Sequence, residues 1–318
     1  MTKREPDTTP APAPVPATDV GTQRCGFIAV IGAPNAGKST LVNALVGAKV
    51  TIVSHKVQTT RVPVRGIALA GTSQLVFIDT PGIFAPRRRL DRAMVDAAAN
   101  AAGDADLVVL LVDAQKGVNE DVARILRRLT DVARPRVLVL NKIDRVKKEQ
   151  LLALAADLNG RLEFAATFML SALNGSGVED LKAHLARHVP EGPWHFPADD
   201  LSDIPERQLA AEITREKLYE RLHQELPYAA AVETTAWQDR KDGSARIEQT
   251  IFVERDSQRS IVLGEGGRTI KDISMRARKE LSALLERPVH LFLHVKVQER
   301  WGDDPERYRN MGLEYPKE

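Results

Sequence analysis

The sequence predicts an α/β domain built on a mostly parallel sheet, followed by a smaller α+β domain. Three observations predict it. From Cys25 to about Val189, short apolar segments alternate with segments of helical spacing, the pattern of a parallel sheet covered by helices on both faces. A glycine-rich turn, Gly32 to Ser39, joins the first of those strands to the first helix. After Pro190 the pattern lapses over residues 190–204, which hold Pro190, Pro193 and Pro197, and then resumes in a different order.

The elements follow in order. Residues 1–24 alternate Pro10, Pro12, Pro14 and Pro16 with small residues, cannot bury enough apolar surface to fold, and read as a disordered arm. Phe27 to Ile31 is a continuous apolar strand, and Lys38 to Val46 is the helix after the turn. Val64 to Ala70 and Gln74 to Ile78 flank Gly71-Thr72, which predicts a hairpin and one antiparallel edge strand. Ala93 to Ala102 reads as a helix, Leu107 to Val112 as a strand, Glu120 to Leu129 as a helix and Val137 to Leu140 as a strand. Thr167 to Leu170 and Val178 to Ala186 close the domain, which spans residues 25–189. Residues 190–204 read as a linker. The second domain, 205–300, reads as helix (Arg207 to Leu226), strand (Ala231 to Trp237), strand (Arg246 to Glu254), helix (Arg259 to Leu263), helix (Thr269 to Leu285) and strand (Val289 to Val297). A tail, 301–318, follows.

A chain of 318 residues can bury a core without covalent staples. Its single cysteine, Cys25, excludes an intrachain disulfide framework and suits a cytoplasmic setting. The apolar run from Ala105 to Val112 is too short to span a bilayer, and the first twenty residues have no signal-peptide core. A net charge of +2 says little about a nucleic-acid partner, because positive residues can be concentrated on one domain.

Gly32-Ala33-Pro34-Asn35-Ala36-Gly37-Lys38-Ser39 matches GxxxxGK[ST] between a strand and a helix, the context that makes it a phosphate loop. Its backbone N–H groups and the helix N-terminus cradle phosphates, with Asn35, Ala36 and Gly37 in the cradle and Thr40 beside it. Lys38 is expected to reach the β- and γ-phosphates and Ser39 to hold Mg²⁺. Asp79-Thr80-Pro81-Gly82 closes a core strand. Asp79 can orient Mg²⁺ through water, and the Gly82 N–H can approach the γ-phosphate. Thr59 and Thr60 lie between these motifs; Thr60 is preferred as a further Mg²⁺ ligand in a loop that orders with the γ-phosphate. Asn141-Lys142-Ile143-Asp144 names the base: a carboxylate at Asp144 accepts from guanine N1–H and its exocyclic amine, a pattern adenine lacks. Lys142 can lay its stem over the base, and Asn141 is expected to tie this loop to the phosphate loop. The N–H of Ala172, after Ser171, is a candidate donor to guanine O6. Ile83 follows Gly82 where a water-positioning glutamine would be useful, so the nucleotide read here is GTP or GDP, with slow or assisted hydrolysis. His55 is a candidate general base by chemistry alone, although a loop histidine is more often just solvated.

In the second domain, Gly264-Glu265-Gly266-Gly267 sits between two helices. A GxxG turn in this setting lets a nucleic-acid backbone approach while apolar neighbours such as Ile261 support the bases, as in KH domains. Arg268 and Lys271 follow as phosphate contacts; Arg276, Arg278 and Lys279 cannot all face one partner.

Taken together, these motifs resemble the Era family, the Era-like branch of the TrmE-Era-EngA-like GTPases. The resemblance runs from Phe27 to Gly312. It rests on Gly32–Ser39, Gln58-Thr59-Thr60-Arg61, Asp79–Gly82, Asn141–Asp144, Ser171-Ala172, Glu225-Leu226-Pro227-Tyr228, and Glu254-Arg255-Asp256-Ser257-Gln258 leading into the GxxG turn. It implies a Ras-like P-loop GTPase domain followed by a type II KH domain. It implies hydrolysis of GTP with Mg²⁺, served by Lys38, Thr60, Gly82 and Asn35. It also implies binding of the 3′ end of 16S ribosomal RNA through Ile261, Gly264, Gly266, Gly267, Arg268 and Lys271, and assistance to 16S rRNA processing and 30S subunit maturation. The family has an apolar residue in place of the Ras-like glutamine, in agreement with Ile83. In some relatives potassium assists hydrolysis, and Asn35 matches its usual ligand. Family members also associate peripherally with the cytoplasmic face of the inner membrane. One departure is Glu265, where the family commonly has a lysine.

Two other readings differ in class. One is a GTPase whose second domain is a protein or membrane adaptor; it would require an exposed apolar patch in place of the GxxG turn and its basic neighbours. The other is a scaffold that binds GTP and hardly turns it over, a reading that Ile83 keeps open.

Overall fold

The computed structural model describes residues 22–54, 56, 59–86, 88–222 and 226–316. His55, Gln58, Glu225 and residues 1–21 of the arm lie outside them.

The first domain is a six-stranded sheet in the order β2-β3-β1-β4-β5-β6, from β1 (Arg24–Gly32), β2 (Val64–Ala70), β3 (Ser73–Asp79), β4 (Leu107–Asp113), β5 (Arg136–Asn141) and β6 (Ala166–Leu170). All pairings are parallel except β2 with β3, the expected hairpin at the edge. Side chains on a strand alternate between faces, so both faces of β1 must be apolar if helices cover both. Ile28 and Val30 join one core with Leu41 and Leu45 of α1 (Lys38–Val46) and Leu185 of α5 (Val178–His188). Ala29 and Ile31 join the other with Val95 of α2 (Arg89–Asp104), Ile125 of α3 (Glu120–Thr130) and Leu158 of α4 (Lys148–Arg161). Helix α3 is well signalled locally: Asn119 caps it by accepting from the Val122 N–H at 2.9 Å. Its acidic first turn and basic last turn oppose the helix dipole. Helix α4 has no counterpart in the sequence reading. It buries Leu151 and Leu158 and packs Leu154 and Ala155 partly against the same core, an i, i+3, i+4, i+7 spacing that marks a helix face.

The second domain has the order α6 (Glu206–Arg221), β7 (Ala231–Asp239), β8 (Ala245–Val253), α7 (Asp256–Leu263), α8 (Arg268–Leu284) and β9 (Val289–Val297). Strands β7 and β8 form an antiparallel hairpin whose turn places Gly243 at φ +80°, with Asp242 accepting from the Ser244 N–H and hydroxyl. The helical pair α7–α8 carries the chain over to β9, parallel to β8. Helices α6 and α8 cover one face of this sheet.

Three expectations change. Helix α6 ends at Arg221, short of Leu226, and residues 226–229 form a turn where Pro227 disfavours helix in the residue before it. Its polar side is not solvated: Arg215, Glu216 and Lys217 are buried, because that side faces the first domain. Residues 190–204 are a strap rather than a free tether. Leu201 O accepts from Ile67 N at 2.8 Å, and the buried Gln74 amide holds His195 N, Phe196 N and Phe196 O. The tail is likewise folded. Residues Trp301, Tyr308 and Leu313 are buried with Leu90, Ala93 and Met94 of α2 and with Phe252 of β8, wedging the two domains together. Among the described residues, no helix is long and apolar enough to cross a membrane.

Candidate functional site

β1 delivers the chain to the phosphate loop. Asn35 (φ +62°) and Gly37 (φ +102°) both take left-handed conformations, which turn successive N–H groups to the same side. A side chain at Gly37 would collide with the Asn141 amide, and one at Gly32 with the Leu111 carbonyl. Helix α1 begins at Lys38 with no side-chain cap, leaving its first N–H groups for an anion. Lys38 is buried and donates to the carbonyls of Gly32 and Ala33, each at 3.2 Å. Burial lowers its pKa to about 8, against the pull of Asp79.

Asp79 sits at the end of β3 with no exposed surface. Its Oδ2 accepts from Ser39 Oγ (2.7 Å), Thr60 Oγ1 (3.0 Å) and Thr51 Oγ1 (2.9 Å), and Ser39 Oγ lies 3.0 Å from Thr60 Oγ1. Thr59 instead donates to the Lys56 carbonyl, so of the two candidates only Thr60 reaches this cluster. Thr51 was missed: nothing in its sequence neighbourhood distinguishes it from a solvated loop threonine. Burial pushes the Asp79 carboxyl above its usual range, opposed by Lys38 and the three hydroxyls. Its Oδ1 is buried without a hydrogen-bond partner.

Among the described residues no group of three or more His, Cys, Asp or Glu gathers to hold a metal. Two hydroxyls with one carboxylate is a sparse oxygen set that suits Mg²⁺, which keeps waters and substrate phosphates as its other ligands. The 3.0 Å between Ser39 Oγ and Thr60 Oγ1 also matches the edge of an oxygen octahedron with metal–oxygen distances of about 2.1 Å. The orphaned Asp79 Oδ1 leaves an acceptor for a metal-bound water. The residues fit the ion.

Asn35, Gly37, Lys38, Ser39, Thr40, Thr59, Thr60 and Gly82 line one cleft, roofed by Val53 and Ser54. Gly82 packs on Pro34, whose ring and backbone lie 3.0 to 3.1 Å from where a side chain would begin, so the close approach of the two loops requires glycine. Ile83 is buried in the core beside Ala29 and Ile31 and points away from the cleft.

Asn141 does what its position predicts: its Nδ2 donates to Ala36 O at 2.8 Å, tying the base loop to the phosphate loop. Its Oδ1 accepts from the Ala172 N–H at 3.0 Å. That N–H, expected to face guanine O6, is therefore engaged within the protein here. Lys142 (φ +67°) donates to Asn35 O and to Asp113, each at 2.7 Å, which stretches its stem along the base side of the cleft. Asp144 faces solvent beyond it. The nearby Ser171 hydroxyl lowers the Asp144 carboxyl below its ordinary range, though it makes no hydrogen bond of ordinary length.

In the second domain, Gly264, Gly266 and Gly267 all have positive φ. A side chain at Gly264 would collide with Thr269, whereas Gly266 and Gly267 open onto empty space. Ile261 is 56% exposed beside them. Helix α7 enters this turn capped by Gln258, whose Oε1 accepts from Glu254 N and Arg255 N, giving the Glu254–Gln258 string a structural role. The side chains of Glu265 and Arg268 are 89% and 80% exposed and lie 3.6 Å apart, so the carboxylate offsets one of the two expected phosphate contacts. Lys271 is exposed, and Arg276 is paired with Asp272 at 3.1 Å.

The two sites are joined by the loop between α1 and β2. Lys49 pairs with Glu216 at 2.6 Å and with Glu280, and Val53 N donates to Glu216 at 2.8 Å. Lys56 donates to the carbonyls of Tyr219 and Leu222, and Arg215 to the Thr59 carbonyl. Arg61 donates to the carbonyls of Ala230 (2.8 Å), Tyr228 (3.0 Å) and Pro227 (3.3 Å).

Comparison with known proteins agrees with this architecture. The family model described as "50S ribosome-binding GTPase" matches residues 27–142, and the one described as "KH domain" matches residues 225–302. GTPase Era of Rhizobium meliloti (strain 1021) is 65% identical over 294 residues, covering 92% of this chain and 94% of that protein. GTPase Era of Brucella suis biovar 1 (strain 1330) is 61% identical over 309 residues, covering 97% and 98%. Two solved structures superpose with TM-scores of 0.87 at 35% identity, each covering 91% of this chain and 99% of the other. One is an Era variant from Aquifex aeolicus bound to GDP and AlF4⁻; the other is Era with MgGDPNP and nucleotides 1506–1542 of 16S ribosomal RNA. With its P-loop GTPase domain and C-terminal KH domain, the chain belongs to the Era family of GTPases.

Proposed function

We propose that this GTPase is a switch that binds the 3′ end of 16S ribosomal RNA through its KH domain and assists 16S rRNA processing and 30S subunit maturation. The observation that carries the proposal is the shared loop. It supplies Thr60 to the cluster around Asp79 and is bonded along its length to α6, the helix beneath the KH sheet. A relative with this fold holds nucleotides 1506–1542 of 16S ribosomal RNA.

Lys38 and the loop N–H groups bind and orient the β- and γ-phosphates, and Asp144 selects guanine. Ser39 and Thr60 would hold Mg²⁺ directly and Asp79 through water; the ion, when bound, supplies neutralisation of the phosphate charge. Ile83 cannot orient the attacking water, so that task falls to backbone near Gly82 and to the roof of the cleft. Asn35, which lines the cleft, would hold a potassium ion, and that ion would supply further neutralisation of the phosphate charge. Since the loop that brings Thr60 to Asp79 and Ser39 is also bonded to α6, GTP and GDP states hold the KH domain differently, and RNA affinity follows. The setting is cytoplasmic, with peripheral contact at the inner membrane.

Three measurements test this. Crosslinking in cell extract followed by RNA sequencing should return reads clustered at one end of 16S rRNA; a flat distribution over cellular RNA would refute the substrate. Single-turnover hydrolysis should be faster in potassium than in sodium and should lose that difference in Asn35→Ala. RNA affinity that is equal with a GTP analogue and with GDP would rule out the switch.

A further inference from the structure

Strand β9 has two rows of side chains. Leu293, Val295 and Val297 pack inward with Val262 and Ile270, the residues that flank the GxxG turn. The opposite row, His290, Phe292, His294 and Lys296, is exposed. Phe292 is 43% exposed, and the Arg246 guanidinium of neighbouring β8 lies 4.7 Å from its ring centroid. The molecule has a cover for this face of the sheet and uses it elsewhere: the wedge around Trp301 buries Phe252 and stops short of Phe292. Both carboxylates on the face are already paired, Glu248 with Arg246 and Glu233 with Arg307.

An adaptor surface for protein would present contiguous apolar area. This row instead presents three rings at every second residue, about 6.6 Å apart along the strand, and ends in Lys296. Phenyl and imidazole rings stack on unpaired bases of any identity, and the lysine at the end of the row meets the phosphate backbone. Because β9 also walls the GxxG side, a strand leaving that turn can pass onto the outer row without leaving the domain.

We propose that the outer row of β9, with Phe292 at its centre, is a second single-stranded RNA contact that takes bases beyond those held at the GxxG turn. This rests on the RNA-binding reading above. The full-length chain would be titrated by fluorescence anisotropy with two RNAs: a tetranucleotide that fills only the GxxG site, and a longer single strand from the same sequence. Phe292→Ala should bind the tetranucleotide like the unaltered chain and the longer strand at least about fivefold more weakly. The paired substitution His290→Ala/His294→Ala should give the same split, while Gly266→Asp should weaken both RNAs. Equal binding of the longer strand by Phe292→Ala would overturn the proposal, as would a self-association in sedimentation that the substitution abolishes without altering RNA affinity. If the unaltered chain binds neither RNA, the RNA-binding reading itself fails.

Discussion

Thr60 and Arg61 are adjacent in the chain and belong to different domains. The Thr60 hydroxyl lies 3.0 Å from Asp79, inside the nucleotide cleft. The Arg61 guanidinium is buried among the carbonyls of Pro227, Tyr228 and Ala230, 5.5 Å from the centroid of the Trp301 ring. One peptide bond separates a residue of the nucleotide cleft from one that anchors the KH domain.

Arg61→Ala therefore should do more than unbalance a charge. It leaves buried carbonyls without a donor, at a cost of about 2 to 4 kcal/mol. Denaturant titration should show that loss, and the ratio of RNA affinities between GTP-analogue and GDP states should fall towards one. A ratio unchanged from the parent would mean that coupling runs through α6 contacts such as Arg215 with Thr59 instead.

Lys38 is held at a cost in the absence of nucleotide. Its pKa falls to about 8 from an ordinary 10.5, so below pH 8 both folded and unfolded chains carry the proton and the folded state bears the full penalty, about 3 kcal/mol. The penalty shrinks as pH rises from 8 towards 10.5, because the folded chain releases the proton first. Lys38→Met should raise the nucleotide-free melting temperature at pH 7 and abolish the further rise that GDP gives the parent. For the parent, GDP binding should take up a proton above pH 8, and Lys38→Met should lose that uptake, read by calorimetry in buffers of different ionisation enthalpy.

Thr51→Val keeps shape and removes one of three hydroxyls from Asp79 Oδ2. A hydrogen bond to a charged group contributes about 1.5 to 3 kcal/mol. Nucleotide affinity in Mg²⁺ should drop roughly tenfold or more, with a much smaller change in EDTA. An equal loss in both conditions would place Thr51 in loop packing rather than in support of the metal site.

Glu265→Lys should tighten RNA binding, since it releases Arg268 from its neighbour and adds a phosphate contact. The slope of log affinity against log salt should steepen by about one. If affinity is unchanged across the salt series, the tip of the GxxG turn does not face the phosphates.

Much of the first domain was legible because its strands are apolar on both faces and its loops carry residue types that few other tasks need. The phosphate loop, Asp79 and Asn141 fall where spacing placed them. What the sequence hid has a common physical origin. Thr51 gains its partner from a strand 28 residues away. The charged side of α6 looks like a solvated helix face, because a surface that meets another domain has no periodicity of its own to mark it. Trp301 and Tyr308 sit in a short, polar segment with too little pattern to reveal that it folds back.

That last segment has a consequence for the order in which the molecule is made. The first domain has its whole sheet and all its helices once the chain has passed Val189, and the second has its last strand at Val297. The wedge that holds them against each other, Trp301 to Leu313, is synthesised after both. During translation the two domains can each fold and meet through the α1–β2 loop and α6 while Leu90 and Met94 are still uncovered. The piece that seals the joint is made after both domains, so a chain stopped at residue 300 should hold folded domains in a looser arrangement.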